Sequence, residues 1–306
     1  MTMPTEVEKD IYRVIVYFSY FGYPVTAFEI QKWQFRPKRV LTLREVMQTL
    51  SLSEWLMARI ENKDGFYGIS TKSHGGISRQ VALRHDRFLN AVQKYKRLKW
   101  VVNYLGRLTC VEGIAICNTL AFHHTRERSD IDLFIIAKPG KIWSARFLSV
   151  LPFLLLRKRP GEVYRNPVDL SFFVTRSSMD LVSLKCADDD PYLATWTRSL
   201  IPVYGESVFE DFFQNNVWAQ SEMPASTTVM RCVAYRIVLN LKCSFIYIPE
   251  RLAEFLQRKK FPKEINERAN KNTDVIVSND VLKFHKNDRR QEIRTYINKR
   301  MSICKD

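Results

Sequence analysis

The chain has 306 residues, of which 46% are apolar, and its formal net charge is +16. This length and apolar content allow two or three compact domains and exclude wholesale disorder. The charge favours a polyanionic partner such as nucleic acid, a nucleotide or an anionic surface, although a basic solvated surface would give the same composition.

Cysteine spacing and hydropathy predict a cytoplasmic protein without a transmembrane segment. None of the six cysteines has CxxC spacing, so no zinc site of that type is indicated. The stretch MTMPTEVEKD has no basic segment followed by an apolar one, as a signal peptide would. The most apolar segment, FLSVLPFLLL, is too short to span a bilayer, and we interpret it as a buried or interfacial helix.

Residues 1–75 have the pattern of a winged helix-turn-helix domain. Apolar residues recur every three or four positions from Val7 to Phe21, which predicts a first helix. The segments TAFE and TLRE place a threonine three residues before a glutamate, the spacing of a capping box, and predict two more helices. The segment LMARIENKDGFYGIS then predicts two short strands around a KDG turn.

Such a domain usually binds DNA through its third helix. Here the third helix carries a single basic residue, Arg44, beside an acid, which is little for contact with a groove. Lys38, Arg39 and Lys63 are near enough in sequence to contact phosphate. Two interpretations stay open: a DNA-binding module, or a module used for protein packing or dimerisation.

Residues 76–178 are predicted to form an α/β domain that begins with a long helix over residues 79–105. That helix has an apolar stripe, and its other faces are basic, with Asp86 as the lone acid. The segments CVEGIAIC, DIDLFIIA and PVDLSFFVT then read as strands, and a helix interrupted or kinked near Pro152 separates the last two.

The remaining residues, 179–306, show mostly helical patterns, among them MRCVAYRIVLNLKCSFIYI. We therefore expect an α-helical C-terminal region. The predicted fold class is α+β, with a small mixed sheet flanked by helices.

The stretch SDIDLFII places Asp130 and Asp132 one residue apart at the start of a predicted buried strand. Residues i and i+2 of a strand face the same side, so both carboxylates project together. Two anions held that close repel each other, and a divalent cation removes the conflict. Mg²⁺, which prefers hard oxygen ligands and leaves positions open for phosphate oxygens, suits this pair, as does Mn²⁺.

Two neighbouring segments strengthen this interpretation. Asn118 and Thr119 follow the preceding strand, where a hydroxyl and backbone N–H groups can hold phosphate oxygens. Asp169 lies near the start of the next strand, and it joins the first two acids if the two strands pair. A third carboxylate can complete a cation site or accept a proton from an attacking hydroxyl.

Less specific assignments remain for the basic residues around these acids. Asp132 could instead form a surface ion pair with Arg126 or Arg128, or those arginines could offset the charge of a triphosphate. His123 and His124 could be ligands, but a histidine pair in a turn is more often incidental.

Together these segments resemble the DNA polymerase β-like nucleotidyltransferase superfamily. The resemblance covers residues 111–175: a small polar pair, about ten residues, two acids separated by one residue before an apolar strand, and a third acid on a later strand. The winged-helix-like region before it and the helical region after it also resemble bacterial proteins that carry such a domain between those two parts. The family usually has Gly-Ser or Gly-Gly where this chain has Asn118-Thr119.

This resemblance implies transfer of a nucleoside monophosphate from a nucleoside triphosphate, ATP among them, to an acceptor hydroxyl on a protein, a small molecule or RNA. It assigns metal binding and catalysis to Asp130, Asp132 and Asp169. We assign Asn118, Thr119 and Ser129 to nucleotide binding. Two alternatives stay open: a nucleic-acid-binding regulator whose α/β domain has lost catalysis, and an antitoxin-type protein that binds a partner without turnover.

Overall fold

Helices and strands are interspersed along the chain. The structure, a computed structural model, describes residues 3–69, 75–158, 160, 166–226, 247–285 and 288–304. Its helices are α1 (Glu6–Ser19), α2 (Ala27–Lys32), α3 (Leu43–Leu52), α4 (Glu54–Met57), α5 (Ile77–Arg107), α6 (Asn118–Ala121), α7 (Ile142–Leu155), α8 (Pro191–Ser199), α9 (Glu206–Asn215), α10 (Val217–Glu222), α11 (Glu250–Lys259), α12 (Lys263–Arg268) and α13 (Arg290–Met301). Its strands are β1 (Val25–Thr26), β2 (Glu61–Lys63), β3 (Phe66–Gly68), β4 (Val111–Ile116), β5 (Ile131–Ala137), β6 (Val168–Thr175), β7 (Ile201–Tyr204), β8 (Val275–Val277) and β9 (Val281–Phe284). The helix expected over residues 230–248 lies, except for its last two residues, outside this description.

Local sequence signals explain the elements of the N-terminal region. α2 and α3 begin with the expected capping boxes, in which Thr26 and Thr42 each exchange hydrogen bonds with the glutamate three residues later. β2 and β3 form the expected hairpin, whose turn residues Asp64 and Gly65 both have positive φ. These strands and β1 form a small sheet of order β1-β3-β2, and α4 is an additional short helix. The assignment of this region as a winged helix stays a prediction.

A larger mixed sheet follows, and it confirms the α+β class. Its order is β7-β4-β5-β6-β9-β8. β5 and β6 run parallel, and the other neighbours pair antiparallel. α5 and α7 cover one face through residues such as Leu98 and Trp143, whereas Phe134, Phe172 and Trp196 belong to the core on the other face.

The expectation of an α-helical C-terminal region after residue 179 was incomplete, because β7, β8 and β9 also lie there and join the larger sheet. These strands have only three or four residues, too few for an alternating pattern to be recognised. Their partners are also distant in sequence, since β9 pairs with β6 and β7 pairs with β4.

Two helices differ in detail from the expectation. The long helix α5 extends two residues further at each end than expected. α7 runs through Pro152 to Leu155 without the interruption that the sequence allowed at that proline, and Phe153 packs into the core. In the described ranges, no helix combines the length and the apolar character needed to cross a membrane.

The N-terminal helices share their core with the end of the chain. α1 packs against α13, and the buried residues Ile11 and Ile30 belong to the same apolar cluster as Ile293 and Ile297 of α13. Ala194 of α8 also belongs to this cluster. The predicted boundaries at residues 75 and 178 therefore separate sequence segments whose side chains pack together in one core.

Candidate metal centre

Three strand ends meet at one edge of the larger sheet. Because β4 is antiparallel to β5, its last residues lie beside the first residues of β5, and the N–H of Cys117 donates to the carbonyl of Asp132 at 3.3 Å. Because β5 and β6 are parallel, their first residues are neighbours, and Asp132 is the register partner of Asp169. The topology therefore brings together acids that are far apart in sequence.

The three predicted carboxylates form one cluster. Asp130, Asp132 and Asp169 each offer an oxygen, and these oxygens lie within 4.8 Å of one another. All three side chains are half-buried, so the cluster is neither sealed in the core nor fully solvated. Three convergent oxygen ligands with one open side suit a hard divalent cation that also binds phosphate.

The acids repel one another strongly in the absence of a cation. Burial, followed by the carboxylates of Asp169 and Asp130, raises the pKa of Asp132 to about 8. Burial and the Asp169 carboxylate also raise the pKa of Asp130 above its ordinary value. A bound cation would replace this repulsion with attraction, which is the electrostatic argument for a metal at this position.

Asn118 stands directly beside the cluster in a left-handed backbone conformation, with φ of 56°. This conformation is one that asparagine tolerates better than most residues. The side chain is held on both sides, because its Oδ1 accepts from Trp196 Nε1 at 2.9 Å and its amide donates to the Asp132 carboxylate. Asn118 therefore orients Asp132 and ties it to α8.

Thr119 and Ser129 take different positions around the centre. Thr119 is exposed at the start of α6, next to Asn118. The hydroxyl of Ser129 accepts from the N–H of Arg126 at 3.0 Å, so it fastens the turn that leads into Asp130. Their contact with a nucleotide, like that of Asn118, stays a prediction.

Lys94 is a residue of the centre that the sequence did not single out. It lies on α5, is only 1% exposed, and its Nζ donates to the carbonyls of Arg126 (2.8 Å) and Ser129. Burial lowers its pKa to about 8, against the opposing attraction of Asp130 and Asp132. Lys94 therefore supplies a buried positive charge behind the acids and holds the turn that precedes them.

The histidine pair has packing roles. The ring of His123 stacks between Phe88 and Tyr95, with centroid distances of 5.6 and 5.0 Å. His124 is buried against Arg87, and burial, then that arginine, lower its pKa to about 3. In the described part of the chain, the only group of acids, histidines or cysteines placed to hold a metal is the aspartate cluster.

No family model, curated protein or solved structure matches the chain. The nucleotidyltransferase resemblance therefore rests on residues 111–175 alone and stays a prediction. The geometry of the acids is an independent observation, since it follows from strand pairing and side-chain distances.

Proposed function

We propose that the chain is a metal-dependent nucleotidyltransferase that moves a nucleoside monophosphate from a nucleoside triphosphate to an acceptor hydroxyl. The observation that carries this proposal is the convergence of Asp130, Asp132 and Asp169 from two parallel strands to within 4.8 Å. The adjacent turn at Asn118 and Thr119 supports it, because it places polar groups beside the acids where phosphates would lie.

The donor set fits Mg²⁺ or Mn²⁺. All three ligands are carboxylate oxygens, and no sulfur or imidazole ligand joins them within the described residues. Burial, followed by the repulsion of the neighbouring carboxylates, raises the pKa values of Asp130 and Asp132, and such a cation would favour their ionised forms. When bound, the cation would neutralise the charge that develops on the phosphates and polarise them.

The protein groups have separable tasks in the reaction. Asp130 and Asp132 would hold the cation, and Asn118 and Lys94 fix their directions through hydrogen bonds to Asp132 and to the preceding turn. Asp169, across the strand pair, accepts the proton of the acceptor hydroxyl. Positioning of this kind accounts for most of the catalysis of phosphoryl-group transfer.

The step conserves atoms and charge as follows. The acceptor oxygen forms a bond to the α-phosphorus, and the bond from that phosphorus to the oxygen bridging to the β-phosphorus breaks. Pyrophosphate leaves with the electron pair of the broken bond, while the proton of the hydroxyl moves to Asp169.

The decisive experiment incubates the protein with NTPs labelled at the α-phosphate, Mg²⁺ and a cell extract as the acceptor source. We expect label in an acceptor and release of pyrophosphate, both lost in Asp132→Ala. Asp86→Asn, which changes the exposed lone acid of α5, is the matched control and should keep full activity. Full turnover in Asp132→Ala would exclude the proposed mechanism.

A second measurement separates the catalytic proposal from a protein that has lost catalysis. Titration with Mn²⁺, followed by electron paramagnetic resonance, measures the cation site without turnover. Binding that is lost in the Asp130→Ala/Asp132→Ala variant, together with absence of transfer for every NTP, would favour the regulator or antitoxin-type alternative. Mn²⁺ binding that persists in that variant would show that these aspartates do not form the metal site.

A further inference from the structure

An aromatic pocket lies beside the candidate metal centre. Its cavity volume is about 80 Å³, and the pocket is partly open to solvent. Its walls come from α1 and the turn after it, from α6, and from α8. The lining residues are Tyr17, Phe18, Phe21, Tyr23, Asn118, Thr119, Phe122, His124, Tyr192, Thr195, Trp196 and Ser199.

The burial of these residues shows where the pocket opens. Phe18, Thr195 and Ser199 are almost fully buried and form its floor. Phe21 and Tyr192 are half-buried, and Thr119 is exposed. The opening therefore lies next to α6, where the candidate phosphate-binding turn begins.

The pocket and the metal centre share a wall. Asn118 lines the pocket and also donates a hydrogen bond to Asp132. Tyr192 lines the pocket, and its pKa is raised by burial and then by Cys117 and Asp132, so its hydroxyl lies within electrostatic reach of the centre. The pocket and the acids therefore adjoin each other across Asn118.

The lining chemistry selects a flat, uncharged ring. Among the residues that the structure describes, no lysine, arginine or acid lines the pocket, and burial holds His124 in its neutral form, with a pKa of about 3. Aromatic rings supply most of the wall. The ring centroid of Phe122, for example, lies 5.7 Å from that of Phe18 and 6.1 Å from that of Tyr23. Rings of this kind bind a planar aromatic ligand by stacking and edge contacts, with little dependence on its polar edge.

We propose that this pocket, completed by residues 17–23 of the N-terminal region, holds the base of the nucleotide whose phosphates lie at the acidic cluster. The inference rests on the proposed function for the identity of its ligand. It gives the N-terminal region a part in substrate binding. It also implies weak discrimination between bases, because the surface that lines the pocket is mainly apolar.

The test measures nucleoside binding without phosphate or metal. Saturation-transfer NMR with adenosine and with uridine at millimolar concentration should show contact of both bases with the protein. Ser199→Leu adds a side chain to the pocket floor and should weaken binding about tenfold, the scale of one lost base stack. Phe21→Ala, which removes a ring at the opening and disturbs the core less, should weaken it in the same direction.

Two control variants distinguish nucleoside binding in the pocket from catalysis at the acids. Phe88→Ala removes an exposed ring that stacks on His123 outside the pocket and should leave nucleoside binding unchanged. Asp132→Asn should keep nucleoside binding while losing transfer. Thermal unfolding of each variant verifies that it is folded.

The outcomes are distinguishable. The pocket assignment is overturned if the nucleosides give no NMR saturation-transfer signal, or if the signal is equal in Ser199→Leu, Phe21→Ala and the unaltered chain. This holds even if the protein catalyses nucleotidyl transfer. Binding of N-acetyl-tyrosinamide in place of the nucleosides overturns it too, because the pocket would then hold the tyrosine ring of an acceptor protein rather than a base. Nucleoside binding with no transfer for any NTP refutes the proposed function and leaves the pocket assignment standing.

Discussion

At the scale of single residues, burial and two neighbouring carboxylates strongly disfavour the ionised form of Asp132. Its carboxylate faces Asp130 and Asp169, and burial adds to their repulsion. One neighbouring amide, from Asn118, and one buried cation, Lys94, offset only part of this cost. The ionised cluster therefore destabilises the folded chain until a cation binds.

The first prediction concerns pH in the absence of divalent cations. The pKa of Asp132 is about 8 in the folded chain, above the value of roughly 4 expected when unfolded. The folded state thus binds more protons between these values, so Asp132 makes stability fall as pH rises, by up to about 1.4 kcal/mol per unit. Unfolding by urea in EDTA from pH 5 to 7.5 measures the trend.

Asp132→Asn is the reference for that measurement, since other groups titrate in the same range. The difference in unfolding free energy between the two proteins should grow with pH, in favour of the variant. Mn²⁺ should stabilise the unaltered chain more at pH 7.5 than at pH 5, because cation binding needs the ionised carboxylates. A difference that is independent of pH would show that Asp132 is ionised normally.

The second prediction concerns the buried charge of Lys94. Lys94→Met keeps the apolar length of the side chain but leaves the carbonyls of Arg126 and Ser129 without their donor. We expect a loss of about 2–3 kcal/mol in stability and weaker Mn²⁺ binding, because the turn before Asp130 is no longer held. Denaturation and Mn²⁺ titration measure the two effects.

Lys96→Met is the matched control, since Lys96 is an exposed lysine on the same helix. It should change stability by less than about 0.5 kcal/mol. Equal effects of the two substitutions would mean that Lys94 acts only as one more surface charge.

At the scale of elements, local signals were predictable and distant pairings were not. The capping boxes of α2 and α3 and the Asp64–Gly65 hairpin involve residues a few positions apart, so the sequence displays the whole interaction. The aspartate cluster was predictable because its acids mark the starts of two long apolar strands.

Other features needed the folded chain. β7 and β9 are short strands whose partners β4 and β6 are distant in sequence, and no local pattern encodes that pairing. Lys94 is one of several basic residues on α5, and periodicity alone cannot say which of them faces a buried turn. The aromatic pocket combines residues of α1, α6 and α8, so it exists only after these helices have packed.

The third prediction concerns the connection from β7 to α9. Gly205 has φ of 77°, and a Cβ placed on it would collide with the carbonyl oxygen of Glu112 on β4. Gly205→Ala should therefore cost at least about 3 kcal/mol, since backbone strain and the clash add. Urea denaturation gives the value.

Gly65 provides the control, because it has the same φ but open space where a Cβ would lie. Gly65→Ala should cost only the strain of the left-handed conformation, about 1–2 kcal/mol. Similar costs at the two glycines would mean that β7 does not pack against β4 as closely as described.

At the scale of the whole molecule, the shared core joins the two ends of the chain. Ile293 of α13 is 1% exposed and lies in the apolar cluster of the N-terminal helices. The fourth prediction is that Ile293→Ala destabilises the protein by about 3 kcal/mol, as cavity-forming substitutions do. We expect the α1 and α13 regions to unfold in one transition, which fluorescence and circular dichroism would follow in parallel.

Ile303→Ala changes an exposed isoleucine near the same end of the chain and should have an effect below about 0.5 kcal/mol. Two separated transitions in the unaltered protein, with Ile293→Ala shifting only one of them, would contradict a common core.

The hydrogen bond that Trp196 donates to Asn118 has a consequence for the order of folding events. β4 and β5 are close in sequence and can pair early, but the amide of Asn118 is fixed only when Trp196 arrives on α8, 78 residues further along the chain. Contacts of such separation form slowly because a long loop must close first. The carboxylates should therefore reach their final arrangement late in folding, after the local pair of β4 and β5 has formed.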